Sequence, residues 1–157
     1  PEEKQKGGIV VKGVDDVAVR FSKCCNPVPG DEIVGFVTRG RGVSIHRTDC
    51  VNLLSMSETD RSRLIEAEWQ EGSEGSGQTY TTEISIYANN RKGMLADVSK
   101  VFLELDIDIL TMNVSNSKKG RATLSMSFDI NGVAQLNQVI ARIRNIEGVV
   151  DIERKVG

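Results

Sequence analysis

The chain has 157 residues, a formal net charge of −2 and a hydrophobic fraction of 39%, so it is long enough for one domain or two small ones with modest cores. The near balance of charge excludes a globally basic nucleic-acid-binding protein, and any RNA contact has to be a local basic patch. No apolar run approaches the length of a bilayer span and no signal-peptide pattern opens the chain, so we expect a cytoplasmic protein with no membrane partner. Because the chain begins with Pro1 rather than Met, we also expect a fragment of a longer protein.

Residues 1–70 predict a small domain built mainly of short strands. The alternation of Ile65, Ala67 and Trp69 is typical of a half-buried strand. Other runs rich in β-branched residues are bounded by Gly, Pro and Asp, which favour turns, and residues 13–16 are the predicted turn between the first two strands. The predicted strands are residues 8–13, 17–21, 33–37, 42–46 and 64–69, and a short helix is predicted over residues 49–56.

All three cysteines and the single histidine fall between residues 24 and 50. Three thiols and an imidazole suit the tetrahedral sites of zinc, and the three residues between His46 and Cys50 allow chelation from one helical turn. Cys24 and Cys25 reach one metal only if the chain turns sharply, because neighbours in a strand point to opposite faces. The sequence NPVPG at 26–30 can supply such a turn. The set predicts a zinc site, and the alternative is that the thiols are ordinary buried apolar residues.

Arginines surround the predicted turn between the third and fourth strands. Glycines on both sides of Arg41 permit positive φ and place this arginine at an exposed tip. With Arg39 and Arg47, it can bind RNA phosphate oxygens through bidentate hydrogen bonds. The alternative is a solvated hairpin turn without a partner.

Residues 71–78 divide the chain. Their glycines and serines cannot bury enough apolar area to offset chain ordering, so they predict a linker between domains at 1–70 and 79–157.

Residues 80–153 predict the element order strand, helix, strand, strand, helix, strand. The second strand, over residues 108–116, is predicted to place Leu110, Met112 and Val114 on one face. Each helix carries a single apolar stripe, which suits two helices on one face of an antiparallel sheet. We therefore predict an α+β protein with a β-rich cysteine domain followed by a ferredoxin-like βαββαβ domain. The stripe of the first helix is Met94, Leu95, Val98, Phe102 and Leu105.

The run CCNPVPGDEIVGFVTRGRGVSIHRTDC at 24–50 resembles the conserved-cysteine, zinc-finger-like module of long RelA/SpoT-family (p)ppGpp synthetase/hydrolases. Residues 80–155 resemble the ACT domain that follows this module in that family. The resemblance implies a non-catalytic regulatory fragment of a GTP pyrophosphokinase of the stringent response. It also implies the ribosome and tRNA as partners of the module, and remote synthetase and hydrolase domains as recipients of the signal.

Residues 89–95 occupy the position of the ligand loop in ACT domains, which usually pair and bind a small molecule between this loop and the second strand of the partner. Gly93 leaves room for close backbone approach, and the N–H groups that open the following helix favour a carboxylate. The apolar neighbours match valine, leucine or isoleucine. The alternative is that the domain serves unliganded dimerisation or intramolecular docking. The resemblance implies a homodimer with Asn90, Arg91, Gly93, Met94 and Leu95 on one side of the ligand and Met112, Asn113 and Val114 on the other.

Two further functions remain as alternatives. A free-standing zinc-dependent RNA-binding adaptor with an ACT dimerisation unit differs from the regulatory fragment only in whether catalytic domains precede residue 1. An enzyme with a cysteine nucleophile assisted by His46 is disfavoured, because no convergent acidic partner stands out in the sequence.

Overall fold

The computed structural model describes residues 8–11, 18–40, 42–73, 77–117 and 119–157, which form two sheets and four helices. This arrangement confirms the predicted α+β class. None of the helices in these ranges has the length and apolar character that crossing a bilayer needs. The elements in chain order are β1 Ile9–Val11, β2 Val19–Phe21, β3 Ile33–Thr38, β4 Gly42–Arg47, α1 Val51–Leu54, α2 Glu58–Arg61, β5 Leu64–Trp69, β6 Tyr80–Asn89, α3 Met94–Glu104, β7 Ile109–Asn116, β8 Arg121–Ile130, α4 Val133–Arg144 and β9 Val149–Arg154.

The first sheet has the order β1-β5-β3-β4-β2, with β3 and β4 forming the predicted hairpin. The predicted turn at residues 13–16 lies outside the described residues. The two strands that it was expected to join are not partners, because β1 pairs with β5 and β2 pairs in parallel with β4. The sheet buries a small aliphatic core of Ile9, Val11, Val19, Val43 and Ile45.

The second sheet has the order β7-β8-β6-β9, which is the ferredoxin-like arrangement predicted from the element order. Alternate residues of β6 and β8 are buried, as expected of strands with one face against the helices. Both helices contribute to the same core, in which Phe102 of α3 meets Phe128 of β8 at a ring-centroid distance of 4.8 Å.

Two parts of the predicted burial pattern differ from the structure. The buried stripe of α3 includes Val101, while Leu95 is 48% exposed. In β7, Leu110 and Val114 are 49% and 42% exposed, although the alternation of the sequence predicts an apolar face for both. The strand is at the edge of the sheet, and its register shifts between Ile109 and Thr111. Apolar periodicity reports which residues share a face, but not whether another element covers that face.

The two domains share a buried interface. Val28 of the cysteine domain is fully buried and belongs to the core of the second domain. Phe21 stacks on Trp69, with ring centroids 5.6 Å apart, and Tyr80 meets both rings edge-on. The main chain also connects the domains, because the N–H of Val133 donates to the carbonyl of Pro29 at 2.8 Å.

A glycine at this interface provides a test of close packing. Gly30 has φ +102°, and a Cβ built there would lie 2.8 Å from Cβ of Val133, whereas Gly40 has φ +75° with nothing within 4 Å. We expect Gly40→Ala to lower the free energy of unfolding by about 1–2 kcal/mol through backbone strain alone. Gly30→Ala should cost about 1–3 kcal/mol more, because overpacking adds to the strain.

Urea denaturation followed by the fluorescence of Trp69 measures both variants. Equal losses of stability in Gly30→Ala and Gly40→Ala would contradict the close approach of the two domains at this point.

Candidate functional site

Cys24, Cys25, His46 and Cys50 form a cluster whose ligand atoms all lie within 4.8 Å of one another. The two adjacent cysteines lie in the turn after β2, His46 lies in β4, and Cys50 precedes α1 as its N-cap. The main chain turns sharply at the adjacent pair, because the N–H of Asn26 donates to the carbonyl of Ser22 at 3.0 Å. The required turn is therefore at the cysteines themselves, rather than in the proline-rich residues after them.

The distances within the cluster suit a tetrahedral metal ion. Zinc–ligand bonds of ordinary length imply about 3.8 Å between two sulfurs and about 3.6 Å between sulfur and nitrogen. Sγ of Cys24 lies 3.4 Å from Sγ of Cys50, 3.4 Å from Nδ1 of His46 and 3.9 Å from Sγ of Cys25. Sγ of Cys25 lies 3.9 Å from the same Nδ1. The cluster could therefore hold a metal ion without large movement of its four side chains.

Hydrogen bonds around the cluster orient its members. Nε2 of His46 lies 3.3 Å from the hydroxyls of both Ser22 and Ser44, which leaves Nδ1 directed at the sulfurs. The backbone N–H of Arg47 donates to Sγ of Cys25 at 3.3 Å. Such outer contacts set the ring orientation of a metal-binding histidine and stabilise thiolate charge.

Burial also sets the protonation of the cluster. Desolvation lowers the pKa of His46, so the neutral imidazole that a metal requires is favoured. Desolvation raises the pKa values of Cys25 and Cys50. For Cys24, desolvation also favours a higher pKa of the thiol. Hydrogen bonds, of which the one with Ser22 has the largest effect, outweigh desolvation, so the pKa of Cys24 is lowered. Cys24 is therefore the cysteine of the cluster whose thiol deprotonates most easily.

Of the three arginines predicted to contact RNA, the two that the structure describes lie in different environments. Arg39 is exposed in the turn after β3, and Arg41 lies outside the described residues. The side chain of Arg47 is only 7% exposed. Its guanidinium donates to the carbonyls of Cys25 and Lys155 at 3.2 and 3.0 Å and pairs with Asp49. This placement does not fit the expected phosphate contact by Arg47, because the guanidinium is buried and already bound to internal acceptors.

The predicted ligand loop lines a cavity of about 570 Å³ in the second domain. Within one copy, Val114 of β7 lies beside the loop, whereas Met112 and Asn113 are not among the lining residues. The prediction missed five lining residues, which are Ala96, Ser99, Asn116, Ala122 and Leu124. Helical spacing after Leu95 points to Ser99, and the strand register pairs Val114 with Leu124. The described lining comprises Asn90, Arg91, Gly93, Met94, Leu95, Ala96, Ser99, Val114, Asn116, Ala122 and Leu124.

Arg91 holds this loop in place. Its Nε donates to the carbonyl of Glu147 at 2.7 Å, and its Nη2 pairs with Asp97 at 2.7 Å. Gly93 adopts φ +82° as the N-cap of α3, a conformation that glycine takes at little cost. The loop is thus tied to the turn before β9, and Leu95 remains partly exposed at its end.

Comparison with known families agrees with the fold. Residues 76–154, half of the chain, match the family model of the ACT domain, and the chain therefore belongs to the ACT-domain family. Residues 9–70 match the family model of the RelA/SpoT RIS domain, so the cysteine cluster lies within that domain.

Curated relatives match nearly the whole chain. A GTP pyrophosphokinase of Streptomyces coelicolor is 41% identical over 94% of this chain, and one of Escherichia coli K12 is 34% identical over 98%. These matches cover 17% and 20% of the relatives, so the chain spans about a fifth of their length. Among solved structures, the ACT domain from the GTP pyrophosphokinase of Chlorobium tepidum is 23% identical, with a TM-score of 0.44, over 49% of this chain and 99% of that domain.

Proposed function

We propose that this chain acts as a regulatory region of a RelA/SpoT-type GTP pyrophosphokinase. Its RIS domain binds zinc and contacts ribosomal RNA or tRNA, and its ACT domain senses a small amino acid. The resulting signal passes to the synthetase and hydrolase domains of the full-length enzyme. The observation that carries this proposal is that a metal-ligand cluster and a loop-lined cavity occupy two domains that share a buried interface.

Zinc is the metal that this ligand set favours. Three thiols and one imidazole match a closed structural site, in which all four positions are taken by protein. The neutral imidazole and the hydrogen-bonded sulfur of Cys25 support this assignment. The role of the metal is to fix the turn after β2 to the start of α1, where the buried apolar residues are Cys25, Cys50 and Leu53.

The chain with all four ligands should bind one zinc ion. We expect Cys50→Ser to weaken zinc binding by more than about 100-fold, because loss of even an outer partner costs 10- to 100-fold. Competition with a chromophoric chelator gives the affinity, and native mass spectrometry gives the stoichiometry. Ser62→Ala is the control, since Ser62 is exposed and its hydroxyl donates to the nearby carbonyl of Thr59, away from the cluster. Zinc binding of equal strength in Cys50→Ser and in the unaltered chain would reject this ligand set.

The proposed RNA-contacting surface lies at the tip of the β3–β4 hairpin. Arg39 is exposed there, and exposed Arg20 lies on β2, which pairs with β4 just after the tip. We take these two exposed arginines as the proposed local basic patch on a chain with near-balanced charge. Such a patch positions a protein on phosphates without reading sequence. Arg41 remains a predicted member of this patch. Arg47 is left out of the proposed patch, because its side chain is buried.

In the full-length enzyme, Arg39→Glu should weaken ribosome association by about tenfold or more, because a charged hydrogen bond to phosphate is replaced by repulsion. Co-sedimentation at several salt concentrations measures the effect. The slope of the logarithm of the binding constant against the logarithm of the salt concentration should become shallower by about one unit. Lys100→Glu on α3 makes the same charge change away from the hairpin and should leave association unaltered. Equal behaviour of the two variants would remove the hairpin from the interface.

The proposed ligand of the ACT domain is valine, leucine or isoleucine. Leu95 and Val114 are partly exposed and line the same cavity, so they offer an apolar wall to a branched side chain. The cavity is next to β7, an edge strand with exposed Leu110. A second copy that packs along this edge would complete the site with its own Met112 and Asn113, and cover apolar area that one copy leaves in water.

Two leucines of α3 provide a matched test. Leu95 lines the cavity, whereas Leu103 is 80% exposed and is not among the lining residues. We expect chemical-shift changes around residues 90–95 when isoleucine is added to the chain. Leu95→Asp should weaken this binding at least about tenfold, since a charge replaces an apolar contact, while Leu103→Asp should not.

Sedimentation of the same samples reports whether isoleucine binds to a dimer. The absence of any shift at millimolar valine, leucine and isoleucine would reject amino-acid sensing by this cavity.

A further inference from the structure

The end of the last strand lies against the metal-ligand cluster. Three consecutive residues, 154–156, each contact the cysteine domain. Nη2 of Arg154 donates to the carbonyl of Asn26 at 3.4 Å, Nη1 of Arg47 donates to the carbonyl of Lys155 at 3.0 Å, and the N–H of Val51 donates to the carbonyl of Val156 at 2.8 Å.

The partners of this segment follow a pattern in the sequence. Asn26 directly follows Cys25, Arg47 follows His46, and Val51 follows Cys50. The residue that follows each of these three candidate ligands therefore contacts the C-terminal segment, Asn26 through its carbonyl, Arg47 through its side chain and Val51 through its N–H. Any change in the positions of the ligands moves the groups that hold residues 154–156.

Arg47 joins the two sets of contacts most directly. Its backbone N–H donates to Sγ of Cys25, and its Nη1 bonds both to the carbonyl of Cys25 and to that of Lys155. The side chain is only 7% exposed, so these hydrogen bonds have little competition from water. A metal ion that orders Cys25 and His46 also orders the guanidinium that holds Lys155.

Asp31 and Arg154 hold the same region with a second contact. The guanidinium of Arg154 pairs with both carboxylate oxygens of Asp31, at 2.7 and 3.0 Å, and both side chains are largely buried. The carboxylate also accepts from the N–H of Val28 at 2.9 Å, and the carbonyl of Asp31 accepts from Nε1 of Trp69 at 3.1 Å. The ion pair therefore joins the last residue of β9 to the loop that carries Val28 and to the single tryptophan.

We propose that zinc binding by the cluster and docking of residues 154–156 are thermodynamically coupled, so that metal occupancy controls how firmly the ACT domain is held against the RIS domain. This inference rests on the proposed zinc site. By linkage, docking strengthens zinc binding by the same factor by which zinc strengthens docking, so a variant that prevents docking weakens zinc binding by up to that factor.

Hydrogen exchange of the zinc-loaded chain, before and after chelation, tests one direction. The amides of Val51 and Val133 bond to carbonyls of the opposite domain, so chelation should speed their exchange at least about fivefold. The fluorescence of Trp69 should shift to longer wavelength as its ring is exposed. The amides of β8, inside the ACT sheet, should keep their protection and so report that this domain remains folded.

Zinc affinity of docking variants tests the other direction. Arg154→Gln keeps a polar side chain but loses the charge that pairs with Asp31, and it should weaken zinc binding about tenfold. Arg142→Gln is the matched control, because Arg142 pairs with Glu104 on the surface of the ACT domain. The control should bind zinc as the unaltered chain does.

The outcomes separate the coupling from the site on which it rests. If the unaltered chain binds no zinc, both the zinc site and the coupling are rejected. If the chain binds zinc and folded Arg154→Gln binds it equally well, the coupling is rejected and the zinc site stands. If the β8 amides of Arg154→Gln lose their protection, the variant is not folded and its zinc affinity is not used. The chelation experiment on the unaltered chain then decides, and unchanged exchange of Val51 and Val133 after chelation rejects the coupling.

Discussion

The ion pair between Asp31 and Arg154 is the contact on which the arrangement of the two domains depends. Its carboxylate and guanidinium are largely buried. Nearby are the main-chain hydrogen bond from Val133 to Pro29 and the aromatic cluster of Phe21, Trp69 and Tyr80. Removal of one member of a buried pair leaves an uncompensated charge, which costs about 3–5 kcal/mol. The pair therefore favours one relative orientation of the domains over others that would leave either charge unpaired.

The cysteine domain has a small hydrophobic core, so it needs stabilising contacts beyond that core. Among the described residues, the first sheet buries five aliphatic residues in its main core, and the cysteine region adds Cys25, Cys50 and Leu53. Domains of this size are marginal without a metal, a disulfide or a partner surface. Here the three cysteines are free thiols, Val28 enters the core of the neighbouring domain, and the cluster has the geometry for a metal. The packing of Val28 and a metal at the cluster would both stabilise the loop between β2 and β3.

β9 connects the two candidate sites. At its start, the carbonyl of Glu147 accepts from Arg91 of the ligand loop, and at its end Lys155 accepts from Arg47 beside the cluster. Between these points the strand pairs with β6, with an irregular register near Tyr87. The segment from Glu147 to Lys155 therefore contacts both the predicted ligand loop and the residue beside the cluster.

Local pattern in the sequence determined the fold class, the order of elements in the second domain and the candidate ligand set. Period-2 and period-3.6 repeats, and the spacing of cysteines and histidine, are properties of neighbouring residues, so they can be read without tertiary contacts. Only the tertiary structure decided that Arg47 is buried, that Leu95 and Val114 are exposed, and that residues 154–156 dock beside the cluster. These features depend on which distant element covers a face, and neither residue type nor spacing carries that information. From sequence alone, an arginine is predicted to be a surface cation. Arg47 is buried because the fold places two acceptors beside it, the carbonyls of Cys25 and Lys155.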